Sequence, residues 1–99
     1  MGIPDSIIRE VRIYCKEHGV KNLFLFGSYA RSDATQSSDI DLLIEFQTDM
    51  QISYLDLLII KSDLERIMGA KVDLIEKDTL VNPIRRKGIL AEKILLYAS

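Results

Sequence analysis

Two aspartates, two residues apart, are the part of this 99-residue sequence that points most clearly to a chemical function. Asp39 and Asp41 lie in the run of residues 38–46, which is otherwise mostly Ile, Leu and Phe and has the character of a strand. Residues two apart on a strand share a face, so the two carboxylates are predicted to lie side by side. Such a pair resists burial unless a cation neutralises it, and oxygen ligands of this kind suit Mg²⁺. The spacing therefore predicts a magnesium site.

A glycine-serine turn precedes the aspartates. Gly27 and Ser28 follow a short apolar run at residues 23–26, which predicts a buried strand that ends at a tight turn. Residues 29–31 can begin a helix, so backbone N–H groups near Ser28 would lie at a helix N-terminus, which attracts phosphate. Because Mg²⁺ commonly binds one or two carboxylates together with substrate phosphates, the turn and the aspartates together indicate a nucleotide-handling site.

A third acid fits the same site. Asp73 interrupts another short aliphatic run, residues 72–76, which also has strand character. If this strand pairs beside the strand of Asp39 and Asp41, the three carboxylates can converge, as a two-metal nucleotidyl-transfer site requires. Asp73 would then be a shared metal ligand or the base that takes the proton of the acceptor.

The spacing of these residues resembles the motif of the minimal nucleotidyltransferase (MNT) family of the DNA polymerase beta superfamily. A glycine and a serine are followed, after ten residues, by an Asp-x-Asp sequence, and the resemblance covers nearly the whole chain. It implies that Gly27 and Ser28 hold the triphosphate of ATP, that Asp39 and Asp41 bind Mg²⁺, and that Asp73 is the third acid of the site. The residues that match the motif are Gly27, Ser28, Arg31, Asp39, Asp41 and Asp73.

The resemblance also implies a partner. Small members of the family are similar to antitoxins that neutralise a HEPN-domain ribonuclease toxin by transferring AMP from ATP to a tyrosine hydroxyl of the toxin. Two alternatives stay open: an antitoxin that neutralises by binding alone, and a small-molecule nucleotidyltransferase acting on something like an aminoglycoside. The chain departs from the family pattern at Ser32, where many relatives have glycine.

Two basic features have more than one interpretation. Arg31 can contact phosphate, or it can pair with Asp33 or Glu45 on the surface. The run of residues 85–87, Arg-Arg-Lys, can be a solvated helix face or a patch that steers ATP or an acidic partner.

Composition narrows the class of protein. With 99 residues and 47% hydrophobic content, residues 1–99 are predicted to form a single domain, so a partner protein or a second copy must bring the acceptor. The net charge of -2 disfavours a nucleic-acid acceptor. A lone cysteine, Cys15, the lack of a signal peptide and the lack of an apolar stretch of membrane-spanning length predict a cytoplasmic enzyme without a membrane anchor.

The predicted architecture is a small α/β fold, with a mixed sheet of three or four strands, packed helices and the acids at one edge. Helical periodicity with start and stop signals predicts a first helix that ends before Gly19, a second over residues 53–68, and a last one from Pro83 to about Lys93. Residues 94–97 can extend the last helix or form an edge strand. The second helix carries an unusually wide apolar stripe, which indicates a partner surface or a deeper core and includes Leu55, Leu58 and Ile59.

Overall fold

A computed structural model describes residues 2–99 and places helices on both faces of a four-stranded sheet. In chain order the elements are α1 (Asp5–Glu17), β1 (Val20–Phe26), α2 (Gly27–Ala30), β2 (Ile40–Phe46), α3 (Tyr54–Met68), β3 (Val72–Glu76), a 3₁₀ turn (Lys77–Thr79), α4 (Pro83–Glu92) and β4 (Ile94–Ala98). Strand β1 is antiparallel to both β2 and β4, whereas β2 and β3 are parallel, and the strand order is β3-β2-β1-β4. The mixed sheet and packed helices confirm the predicted α/β class.

Local sequence signals set the ends of the longer helices. Helix α3 begins at a reciprocal cap, in which the Ser53 hydroxyl accepts from the Asp56 N–H at 3.1 Å and the Asp56 carboxylate accepts from the Ser53 N–H at 3.0 Å. It ends at Gly69, whose φ of 67° is left-handed. Helix α4 begins where the Asn82 side chain accepts from the N–H groups of its first turn.

Residues after α4 form the edge strand β4 and do not continue the helix. Lys93 has extended dihedral angles, with φ -63° and ψ 144°, so the chain leaves the helical path directly after Glu92. Strand β4 then pairs with the side of β1 that β2 leaves open. The alternative in which residues 94–97 extend the last helix is therefore wrong.

The two faces of the sheet have separate apolar cores. Leu42 and Ile44 of β2 pack with α1 and α3 in the larger core, while Leu43, between them, packs with Ile89 of α4 in the smaller one. Because side chains alternate along a strand, Asp41 lies on the same face as Leu43, the face that α4 covers. The sheet thus directs the Asp41 carboxylate toward α4 and away from the larger core.

Three further features noted in the sequence can be compared with the structure. Cys15 is fully buried in the larger core, and burial raises the pKa of its thiol to about 12. Within residues 2–99, every helix is too short or too polar to cross a membrane. On α3, Leu55, Leu58 and Ile59 are 66%, 42% and 53% exposed, so a deeper core does not explain the wide apolar stripe of this helix.

Candidate active site

Strand pairing brings two of the predicted acids together. In the sheet register, Asp41 of β2 lies opposite Asp73 of β3 on one side and opposite Phe26, the last residue of β1, on the other. Asp41 is half-buried and Asp73 is exposed. Asp39 lies one residue before β2 begins and is also exposed, so the prediction that Asp39 shares a strand with Asp41 is wrong. The three acids nevertheless occupy the same end of the sheet.

The charges at this end act on each other. The pKa of Asp41 is raised, first by burial and then by the negative charges of Asp73 and Asp39, while Arg31 and Arg85 act in the opposite direction. A carboxylate that is difficult to ionise beside two other acids is one whose charged form a cation would stabilise. Across residues 2–99, however, no three acidic, histidine or cysteine side chains form a ready-made metal cluster. The donors that would hold Mg²⁺ are nevertheless of the oxygen type that this ion prefers, and Asp41 and Asp73 are a neighbouring pair of them.

Gly27 connects the end of β1 to this acid pair. Its φ is 71°, in the left-handed region that disfavours residues with a side chain. A Cβ atom built on Gly27 would overlap Oδ2 of Asp41, so the backbone approaches the carboxylate more closely than any side chain permits. Glycine is required here for two reasons, its backbone conformation and the space that Asp41 occupies.

The turn after α2 explains the unusual serine of the motif. The Ser32 N–H donates to the Tyr29 carbonyl at 3.3 Å and the Asp33 N–H donates to the Ser28 carbonyl at 3.0 Å, which together form a Schellman helix end. Such an end needs a left-handed residue, and Ser32 provides it with φ 62°. The serine thus adopts the left-handed conformation for which glycine is best suited.

We expect Ser32→Gly to stabilise the protein by roughly 0.5–1 kcal/mol. The left-handed conformation costs a non-glycine residue about 1–2 kcal/mol, and the greater freedom of glycine in the unfolded chain offsets about 0.5–1 kcal/mol of that gain. Urea unfolding of the two proteins would measure the difference. A Ser32→Ala variant is the matched control, because it changes the side chain and keeps the strain; stabilisation of both variants alike would contradict the explanation.

Arg31 follows the short helix and pairs with two acids. Its side chain bonds to Asp33 at 3.3 Å and to Glu92 at 3.3 Å, and it is half-exposed. The predicted pairing with Asp33 is therefore present, whereas the alternative with Glu45 is wrong because Glu45 pairs with Lys77 at 3.6 Å. Since the Arg31 guanidinium also lowers the pKa of Asp41, its charge reaches the acid site.

Two residues near the site come from α4. Oε1 of Glu92 accepts from the Gly27 N–H at 3.1 Å, although the two residues are 65 positions apart. No local pattern could identify this contact, because Glu92 is the last residue of an ordinary amphipathic helix. Arg85 belongs to the basic run seen in the sequence, and its charge lowers the pKa of Asp41, so this residue of the run acts on the acid site, whereas Arg86 donates to the Leu80 carbonyl.

Comparisons with known proteins agree with this geometry. The nucleotidyltransferase domain family matches residues 8–96. A candidate protein adenylyltransferase of Methanocaldococcus jannaschii is 39% identical, and the match covers 96% of this chain and 93% of the relative. The structure of a candidate minimal nucleotidyltransferase has a TM-score of 0.75 at 34% identity, covering 90% of this chain and 88% of the other.

A more distant structure shares the fold. It is a complex of tri-AMPylated Shewanella oneidensis HEPN toxin with an MNT antitoxin, and it matches with a TM-score of 0.70 over 95% of this chain and 71% of the other. At 14% identity this likeness is evidence of fold alone. The family match and the Methanocaldococcus relative, in contrast, span nearly the whole sequence. The chain therefore belongs to the nucleotidyltransferase domain family, and it is a nucleotidyltransferase.

Proposed function

We propose that this enzyme transfers AMP from ATP to a tyrosine hydroxyl of a HEPN ribonuclease toxin and thereby acts as its antitoxin. The observation that carries the proposal is the pairing of Asp41 with Asp73 beside the Gly27 turn, the turn that we propose binds phosphate. The adenylyltransferase name of the Methanocaldococcus relative supports AMP as the transferred group. The shared fold with an antitoxin bound to an AMPylated HEPN toxin supports the class of acceptor.

In the proposed function, the turn would bind the phosphates of ATP and the acids would bind its metal ion. Gly27 and Ser28 would hold the β and γ phosphates through the turn at the start of α2, with the Arg31 guanidinium beside them. Mg²⁺, when bound, neutralises charge on the phosphates and on the acids. The residues that would hold it are Asp39, Asp41 and Asp73, whose oxygens are the ligand type that Mg²⁺ prefers.

Asp73 is the proposed proton acceptor. An incoming hydroxyl can reach it, because β3 is an edge strand and Asp73 is exposed on it, next to the half-buried Asp41. A tyrosine hydroxyl has an ordinary pKa near 10, so attack at neutral pH requires removal of its proton. In the proposed step the proton passes to Asp73, the hydroxyl oxygen bonds to the α phosphorus, and the bond to the β phosphate breaks to release pyrophosphate.

The exposed apolar side of α3 would receive the acceptor protein. Tyr54 and Leu58 line a groove together with Asp73 and Leu74, so the apolar surface is continuous with the acid edge. Tyr54 is 75% exposed and Leu58 is 42% exposed. A partner bound along this groove would bring a hydroxyl to Asp73. The proposal implies a cytoplasmic location, because both of its substrates, ATP and a ribonuclease toxin, would be in the cytoplasm.

The test is a transfer assay in which a HEPN-domain ribonuclease toxin is the acceptor protein. The enzyme is incubated with ATP, Mg²⁺ and the partner, and the intact mass of the partner is measured. We expect the partner to gain the mass of one or more AMP groups and to lose ribonuclease activity. The control is a partner in which the acceptor tyrosine is replaced by phenylalanine, which keeps the ring and removes the hydroxyl.

Two outcomes would favour the alternatives. If the partner loses ribonuclease activity without any gain in mass, the chain is an antitoxin that acts by binding. If AMP is transferred to an aminoglycoside and the HEPN protein gains none, the chain is a small-molecule nucleotidyltransferase. Either result would contradict the proposed acceptor. The first result would also show that the toxin is neutralised without AMP transfer.

A further inference from the structure

Glu92 links the two ends of the proposed phosphate-binding turn. One carboxylate oxygen accepts from the Gly27 N–H at 3.1 Å, and both oxygens lie 3.3 Å from Nη1 of Arg31. The Glu92 side chain is 30% exposed, and α4 delivers it to the turn from the smaller core on that face of the sheet. A single side chain therefore contacts the first residue of the turn and the arginine that follows it.

Among the N–H groups of the turn, Glu92 accepts from that of Gly27, the first residue of α2. Under the proposed function, a phosphate would use N–H groups that follow it, beginning with that of Ser28. Glu92 and the phosphate would then bind different donors of the same turn.

The charge of Glu92 would work against a nucleotide if the residue had no other role. It adds a negative charge to an end of the sheet that already has three aspartates and is proposed to receive a triphosphate. Its contacts give a positional benefit that offsets this repulsion, since a hydrogen bond between charged groups is stronger and more directional than a neutral one. We propose that Glu92 is a positioning residue that holds Gly27 and Arg31 in the geometry that binds the nucleotide phosphates. This inference rests on the proposed function.

The test measures binding of Mg²⁺ and a non-hydrolysable ATP analogue by calorimetry, without any acceptor. Glu92→Ala removes both contacts, and we expect its dissociation constant for the analogue to rise by roughly tenfold. Glu92→Gln keeps an oxygen that accepts from the Gly27 N–H, so its dissociation constant is expected to stay within about threefold of wild type. Glu10→Ala, an exposed acid on α1, is the matched control and is expected to bind like wild type.

Transfer assays separate positioning from a general loss of stability. In Glu92→Ala we expect the KM for ATP to rise, while the KM for the acceptor protein stays near the wild-type value, since α3 is not in contact with Glu92. The inference is overturned if Glu92→Ala binds the analogue more tightly than wild type, or if Glu92→Gln binds it more than about threefold more tightly, because Glu92 would then be a carboxylate that occupies the phosphate position. Equal binding by all variants overturns it as well. Wild-type protein that binds no nucleotide would overturn the proposed function together with this inference.

Discussion

Asp41→Asn is expected to reduce the rate of AMP transfer by roughly a thousandfold while the protein stays folded. The carboxylate is the half-buried member of the acid pair, and the charge stabilisation that such a site gives a bound cation and phosphate is worth several kcal/mol. Asparagine has nearly the same shape and no charge. The measurement is the initial rate of AMP transfer to the HEPN partner at saturating ATP and Mg²⁺.

The stability of the Asp41→Asn variant gives an independent check. The direction of the expected change in stability follows from the shift in the pKa of Asp41. Burial and the charges of Asp73 and Asp39 raise the pKa of Asp41 in the folded protein, so ionised Asp41 costs stability above that pKa. The cost disappears as the pH falls below the ordinary value of 3.8. Asp41→Asn should therefore melt at the same or a higher temperature than wild type at pH 7, and its advantage should vanish in acid.

Metal binding distinguishes a ligand from a residue that only shapes the site. Because Mg²⁺ that binds the folded state raises the melting temperature, we expect added Mg²⁺ to stabilise wild type more than Asp41→Asn. Asp5→Asn, at the start of α1, is the matched control and should respond to Mg²⁺ like wild type. Transfer by Asp41→Asn at the wild-type rate would show that the site has been assigned to the wrong residues.

Gly27→Ala is expected to destabilise the protein by roughly 2–5 kcal/mol and to abolish transfer. The left-handed backbone costs alanine about 1–2 kcal/mol, and the overlap with Asp41 adds about 1–3 kcal/mol as the carboxylate or the turn is displaced. Because the displaced carboxylate is the predicted metal ligand, loss of activity should exceed what the loss of stability explains. Urea unfolding and the transfer assay measure the two effects.

Two other glycines separate the effect of the left-handed backbone from the effect of the overlap with Asp41. Gly69 has φ 67° but open space around it, so Gly69→Ala should cost only the conformational part, about 1 kcal/mol. Gly88 lies within α4 with open space as well, so Gly88→Ala should stabilise the protein by about 0.5–1 kcal/mol. If Gly27→Ala costs no more than Gly69→Ala, the close approach of Gly27 to Asp41 is not a constraint.

A double variant isolates the overlap itself. Asp41→Ala removes the carboxylate that the new methyl group would meet, so combining it with Gly27→Ala should recover the overlap part of the lost stability. The two changes are thus expected to be non-additive, with a coupling energy of about 1–3 kcal/mol. Additive effects would indicate that the loss in Gly27→Ala comes from the backbone alone.

Local sequence was sufficient for the elements and for most of the motif. The helix ends follow from side chains within three or four residues of the backbone groups they satisfy, as the Ser53 and Asn82 caps show. The strand at residues 72–76 could likewise be predicted from the local sequence. Periodicity could not choose between helix and strand for residues 94–97, because that choice depends on an open edge of β1, which exists only in the assembled sheet.

The sequence by itself determined the candidate chemistry: a glycine-serine turn, an Asp-x-Asp pair and a third acid, each identifiable from residue type and spacing. Only the tertiary structure decided which of these groups meet. Parallel pairing of β2 with β3 puts Asp73 opposite Asp41, and the packing of α4 brings Glu92 to the Gly27 N–H. These contacts join residues far apart in the chain, and their geometry depends on strand register and helix packing, which no local pattern encodes.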